Sequence, residues 1–193
     1  MKTIAISGSL RGNVGKRDAK ELRYEGKVPA VLYGGKEQVH FAVEASDLKD
    51  LIYSADANFV EIDVDGVKTQ AIVQDAQFHP LTDKLLHIDF YQVNESKPLI
   101  MQIPVKLTGT SPGVKMGGKL VQKLRKLRVK ALPKDMPQYV EVSIEPLEVG
   151  KSVRVRDLKF DNFAIVNTPE DTIVSVTTSR ALRQAEQDAA KGK

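Results

Sequence analysis

The sequence predicts a mainly β protein of two successive β-rich domains, and three observations carry that prediction. Val60, Ile62 and Val64 alternate with Glu61, Asp63 and Asp65, Asp65-Gly66 supplies a turn, and Val67, Thr69, Ala71 and Val73 return on the same period of two. That is the signature of an antiparallel hairpin. Five or six short strands and only two short helical stretches precede residue 94, too little helix to cover a parallel doubly wound sheet, which leaves a small twisted sheet or a closed barrel. After residue 94 the apolar residues again fall into short extended runs broken by Gly- and Pro-bearing loops.

Thr3 to Leu10 is the first strand, with Ile4 and Ile6 alternating against Ala5 and Ser7. The loop after it ends in Gly15-Lys16, but a phosphate-binding G-x-x-x-x-G-K-[ST] loop needs glycine where Leu10 stands and a hydroxyl where Arg17 stands. Lys16 to Arg23 is expected to be helical, which aligns Lys16, Lys20 and Arg23 on one face at i, i+4 and i+7. Gly26 then stands where a left-handed C-cap is needed. Such a ridge suits phosphate, and it is equally the look of a solvated surface helix. Residues 28 to 33 and 39 to 43 are strands joined through Gly34-Gly35, and Ser46 is placed to cap a helix through about Tyr53 with Leu48, Leu51 and Ile52 inward.

Leu85 to Val93 closes this half. Leu86, Ile88 and Phe90 alternate with His87, Asp89 and Tyr91, so the apolar set faces a core while His, Asp and Tyr share the outer face. Those three chemistries can bond base edges and ribose hydroxyls and stack on bases, the means by which irregular RNA is read. A half-solvated face whose histidine and aspartate pair with each other is the plainer alternative. No metal site is expected, because His40 and His79 are the only other histidines and no clustered carboxylates or cysteines complete a first shell around His87 and Asp89. No G-x-S-x-G elbow or comparable nucleophile signature occurs, so no catalytic residue is assigned and no cofactor is expected.

Charge is distributed unevenly. Residues 1 to 94 carry 11 Lys and Arg against 14 Asp and Glu, yet residues 1 to 36 alone carry 8 against 3, and residues 95 to 180 carry 15 against 9. A locally basic segment inside an acidic half is the electrostatic footprint that a nucleic-acid partner needs. The chain has no cysteine, which excludes disulfides, thiolate metal sites and cysteine nucleophiles. It has no apolar run near the roughly 20 residues of a membrane span, and the opening MKTIAISGSLRG lacks the apolar core of a signal peptide. A soluble, intracellular protein with no membrane partner is expected.

The runs GKRDAKELRYEGKVPAVLYGGK at 15 to 36 and VQDAQFHPLTDKLLHIDF at 73 to 90 resemble large-subunit ribosomal protein twenty-five, the bacterial 5S-rRNA-binding family that includes general stress protein CTC. Two separated blocks in the right order and at the right distance make the resemblance specific for residues 1 to about 94, and the following segment resembles the C-terminal β-domain of the family's long form. The resemblance implies an N-terminal six-stranded β-barrel with short helices, followed by a second β-rich domain. It also implies docking on the E-loop region of 5S rRNA in the central protuberance of the cytoplasmic ribosome. Carried over position by position, the RNA-contacting residues are Arg11, Lys16, Lys20, Arg23, Tyr33, Gln74, His87 and Asp89. The cations among them would hold phosphates, Tyr33 would pack or bond against the backbone, and Gln74, His87 and Asp89 would address base edges or ribose hydroxyls. A carboxylate near RNA repels phosphate, so Asp89 fits only as an acceptor from amino or hydroxyl donors. This chain departs from the family's usual pattern in carrying Arg17 after Lys16 and Glu21 after Lys20. Glu21 removes one cation, and Arg17 is expected to supply another to the RNA.

Three segments are therefore expected: a 5S-rRNA-binding barrel at 1–94, a C-terminal β-domain at 95–178, and a charged, flexible or helical tail at 179–193. In the second segment Ile100, Ile103, Val105 and Leu107 open an extended run, and a loop spans Ser111 to Gly118. The acid-free run from Lys119 to Lys130 suits helix or strand by period, and its β neighbours favour strand. Its cations are compatible with RNA contact or with an edge strand protected from aggregation. Tyr139 to Ile144 and Thr172 to Val176 are further strands, with turns at Val149-Gly150 and Asp161-Asn162. The function expected is a non-enzymatic structural constituent of the large subunit, a monomer when free, whose partners are 5S rRNA and neighbouring ribosomal proteins and rRNA. The alternative is a stress-linked protein-interaction module whose basic second domain binds an acidic partner.

Overall fold

The structure is a computed structural model that describes residues 1–35, 37–160 and 162–178. The expected tail at 179–193, Lys36 at the end of the basic stretch and Asp161 of the expected Asp161-Asn162 turn lie outside the described residues. The chain divides into two compact units, the first comprising Met1–Leu99 with Leu132–Lys134.

The first unit is a closed six-stranded barrel. Its strands are β1 (Thr3–Leu10), β2 (Lys27–Tyr33), β3 (Val39–Glu44), β4 (Phe59–Val64), β5 (Val67–Phe78) and β6 (Leu85–Gln92), in the spatial order β1-β3-β2-β6-β5-β4. Four pairings are antiparallel, while β1–β4 and β2–β6 are parallel. Closure leaves no unpaired edge for another chain to add to. Alternation sends Ile6, Ala30, Phe41, Val43, Ile62, Ile88 and Phe90 to the interior, and the Phe41 and Phe90 rings stack there with centroids 5.8 Å apart. The Asp65-Gly66 hairpin forms as expected: Val64 faces Val67, and the two turn residues have φ of 50° and 88°. Positive φ at both central positions is the type I′ geometry that matches strand twist.

Two helices accompany the barrel. Helix α1 (Lys16–Tyr24) is followed by Gly26 at φ 84°, whose N–H reaches the Arg23 carbonyl at 3.3 Å, so the glycine stop acts as the sequence indicates. Helix α2 (Lys49–Ile52) is shorter than expected and Ser46 does not cap it: the Ser46 hydroxyl lies 3.2 Å from Asp47 Oδ1 instead. The 46–48 segment is a turn ahead of the helix, with the Lys49 N–H on the Ser46 carbonyl at 3.2 Å. Leu48 and Leu51 are nonetheless buried, because the apolar spacing survives the change of backbone.

The second unit holds Ile100–Ala131 and the chain from Asp135 onward. It contains β7 (Leu99–Thr108), α3 (Pro112–Lys115), β8 (Lys119–Gln122), β9 (Lys126–Ala131), β10 (Val140–Ser143), β11 (Ser152–Arg154), β12 (Ala164–Ile165) and β13 (Thr172–Thr177). They form one sheet of order β10-β7-β9-β12 and another of order β11-β13-β8. Lys119 to Lys130 is extended, as its neighbours suggested, but it is two strands in two sheets. On β9 the buried set is Leu127, Val129 and Ala131, the period of two winning over the helical spacing. Ile100, which the apolar run alone would bury, is exposed, while Leu99, Met101 and Ile103 are buried. The expected 111–118 loop contains a helical turn whose N-cap is the fully buried Ser111: its hydroxyl donates to the Leu147 carbonyl and accepts from the Val114 N–H at 3.4 Å.

Candidate nucleic-acid interface

On the outer face of β6, His87, Asp89 and Tyr91 project together by strand alternation. His87 Nδ1 and Asp89 Oδ1 are 2.6 Å apart, with each side chain a little over a quarter exposed. Pairing through Nδ1 orients the imidazole and leaves its other nitrogen outside the pair as a hydrogen-bonding group. The plainer reading of the sequence, that these two simply bond each other, is thus half of the arrangement.

Register then adds residues from both neighbouring strands. Tyr33 at the end of β2 is level with Tyr91, and the two rings meet edge to face with centroids 5.8 Å apart. Burial, then the nearby Asp89, Asp75 and Tyr91, holds the Tyr33 phenol above its ordinary value of 10.0, so at neutral pH it keeps its proton and can donate as well as accept. Gly34, next along, has φ 95°, and a Cβ there would stand 2.6 Å from the Tyr91 ring. The ring lies where only glycine leaves room.

Gln74 sits at a β-bulge. Val73 is opposite Phe90 and Asp75 is opposite Asp89, so one residue of β5 is extra. The bulge reverses the parity of the strand. Without it Asp75, two residues after inward-facing Val73, would point into the barrel. With it, Asp75 stands beside Asp89, Gln77 beside His87, and Gln74 is the exposed extra residue between Val73 and Asp75. Asp75 and Gln77 thus join the face without having been singled out from sequence. Asp75 lies inside the VQDAQFHP run, but only the bulge gives it this place, and no local signal marks a bulge there.

The cations divide into three kinds. Lys16 and Lys20 are exposed on α1, and the Lys20 ammonium stands 5.7 Å from the Tyr24 ring centroid. Arg23 is exposed too, but its Nε–H donates to the Leu86 carbonyl at 3.0 Å. Leu86 has no partner across β5, because the register skips it between Leu85 and His87; Arg23 therefore ties α1 to β6 as well as presenting charge. Arg17 is almost fully exposed and lies 3.2 Å from Glu21 one turn on, a weak surface pair between the cation expected to offset Glu21 and Glu21 itself. Arg11 is different again: its side chain is only 7% exposed, and Nη2 lies 2.5 Å from Asp18 Oδ2, which holds the loop against the first turn of α1. Lys20 and Arg23 also border a cleft of about 610 Å³ floored by Val28, Leu48, Ile52 and Leu85.

The arrangement can do two things chemically. The β6–β5 face offers oriented donors and acceptors with few free cations, which suits base edges and ribose hydroxyls, while the α1 ridge offers charge without directional demand, which suits phosphate. Among the described residues no group of three or more His, Cys, Asp or Glu is placed to hold a metal ion, and no helix is long and apolar enough to cross a membrane.

Comparison with known proteins agrees with these features. The Ribosomal L25p family matches residues 6–90, and the C-terminal domain of ribosomal protein TL5 matches residues 98–180. Large ribosomal subunit protein bL25 of Amoebophilus asiaticus is 47% identical over 194 residues, covering 100% of this chain and 99% of its own. The bL25 proteins of Cytophaga hutchinsonii and Bacteroides thetaiotaomicron are 46% and 41% identical, each over 99% of this chain and 100% of theirs.

Proposed function

The chain belongs to the ribosomal L25p family, a structural protein of the large ribosomal subunit and not an enzyme, and from that premise we propose that its barrel binds 5S rRNA at the E-loop region in the central protuberance. The observation that carries the proposal is the paired His87 and Asp89 on an outer strand face, flanked by Tyr33 and by Gln74 at its bulge. A face with two neighbouring carboxylates, Asp75 and Asp89, repels an ordinary phosphate backbone. It favours RNA whose helix is irregular enough to present amino and hydroxyl donors to them. Lys16, Arg17, Lys20 and Arg23 supply the phosphate contacts alongside, and Arg11, enclosed with Asp18, adds its charge to the same segment while holding the loop in shape. The barrel's last strand ends at Gln92, the second domain's strands begin with β7, and the chain is a monomer when free, acting at the cytoplasmic ribosome.

The test is binding of the full chain to a 5S rRNA E-loop fragment and to a regular RNA duplex across a salt series. Selective binding that Asp89→Ala weakens, despite the more favourable charge of the variant, is the expected result. Equal, weak binding to both RNAs would overturn the proposal and turn attention to protein partners.

A further inference from the structure

The basic stretch of the second unit takes on a definite meaning once its place in the sheet is known. Lysine-rich strands commonly sit at sheet edges, where charge blocks pairing with another chain. β9 is not such an edge. It lies between β7 and β12; the Val105 N–H bonds the Arg125 carbonyl on one side at 2.9 Å, and the Val166 N–H bonds the Arg128 carbonyl on the other at 2.8 Å. The Arg128 N–H is itself taken by Asn167 Oδ1 at 2.7 Å. Protection of an edge does not account for its cations.

Burial alternates strictly along β9: Leu127, Val129 and Ala131 are inward, and Lys126, Arg128 and Lys130 are all exposed on the opposite face. Alternate residues of a strand are spaced by about 6.8 Å, comparable to the separation of successive phosphates along a nucleic-acid strand. Among the described residues none of the three is within ion-pair distance of a carboxylate. The position level with Lys130 on β12 is Ala164, small and exposed, and the exposed Lys106 of β7 is held over the Tyr139 ring at 4.9 Å. A protein-binding surface is built on a buried apolar or aromatic centre and is poor in lysine. The outward side chains of β9 are cations alone, and the neighbouring Val166 is exposed rather than part of a buried centre.

We propose that this face is a second RNA-contacting surface, one that grips a phosphate backbone without reading sequence. Each cation replaces condensed counterions on the RNA, so the contact is salt-sensitive and indifferent to base identity. The proposal does not depend on E-loop recognition by the barrel.

The experiment measures binding of the full chain to mixed-sequence RNA duplexes as a function of salt, comparing wild type with the triple variant Lys126→Ala, Arg128→Ala, Lys130→Ala. The triple variant is expected to bind every duplex more weakly and to lower the slope of log affinity against log salt by about 2–3, roughly one per lost phosphate contact. Its preference for the E-loop fragment over duplex, whatever that is in wild type, should not change. The charge-preserving variant Lys126→Arg, Lys130→Arg should keep the wild-type slope, which separates charge from folding. An unchanged slope in the triple variant overturns the proposal, as does tighter wild-type binding to a poly-glutamate peptide than to duplex RNA. Loss of E-loop preference on Asp89→Ala with the duplex slope intact reports on the barrel alone.

Discussion

At the scale of single residues the candidate interface separates side chains that hold the molecule from those that meet a partner. Arg11 and Lys16 are five residues apart and equally cationic, yet Arg11 is enclosed with Asp18 while Lys16 is in solvent. Arg11→Ala should lower unfolding stability by about 1–2 kcal/mol, since it strips a charge-assisted bond from a partly buried carboxylate. Lys16→Ala should leave the melting temperature unchanged and reduce only RNA affinity, with the salt slope falling by about 1; thermal melts and salt titrations of the two variants check both. Asp89→Ala should cut E-loop affinity roughly ten-fold, the scale of one or two lost directional bonds. Tyr33 gives a signature in pH. Its phenol is raised in the folded state, mainly by burial, so the unfolded chain ionises first as the solution becomes alkaline. Whatever Tyr33 contributes is present below the ordinary phenol value of 10.0 and is lost as pH climbs toward the raised one. Urea midpoints measured above that ordinary value should fall more steeply for wild type than for Tyr33→Phe.

At the scale of elements, what the sequence could announce and what it could not follow from how local each signal is. The β4–β5 hairpin was legible because turn and alternation lie within fifteen contiguous residues, Phe59 to Val73. The His87/Asp89/Tyr91 face was legible for the same reason, since one strand carries it. Asp75 was not, because its direction is set by the bulge at Gln74, a property of the pairing with β6. The cations of α1 were legible as a ridge, but not that Arg23 reaches a carbonyl 63 residues away. Ser46 misled because a hydroxyl before an apolar run is only a permissive cap signal, and here it bonds its neighbour. The bulge makes its own prediction. Deleting Gln74 removes the extra residue and leaves Val73 opposite Phe90 and Asp75 opposite Asp89, so the deletion variant should keep its alternation and stay within about 1 kcal/mol of wild type in urea denaturation.

At the scale of the whole molecule the chain has two cores, and among the described residues protease should cut free protein first between Asn94 and Pro98, where exposed residues separate β6 from β7; mass spectrometry of the fragments checks it. The order in which the barrel closes carries a consequence for synthesis. A chain emerging from its N-terminus can pair β1 with β3 and β4, and β2 with β3, as soon as residue 64 is out. The ring stays open until β6 arrives to join β2 on one side and β5 on the other. Long-range parallel pairing of this kind is the slow step of β topologies. β6 is also the strand that bears His87 and Asp89, so a truncated nascent chain displays the α1 cations but has no recognition face at all. On the proposed recognition by this face, selective capture by RNA would select against incomplete chains, since only a barrel translated through its final strand and closed offers that surface.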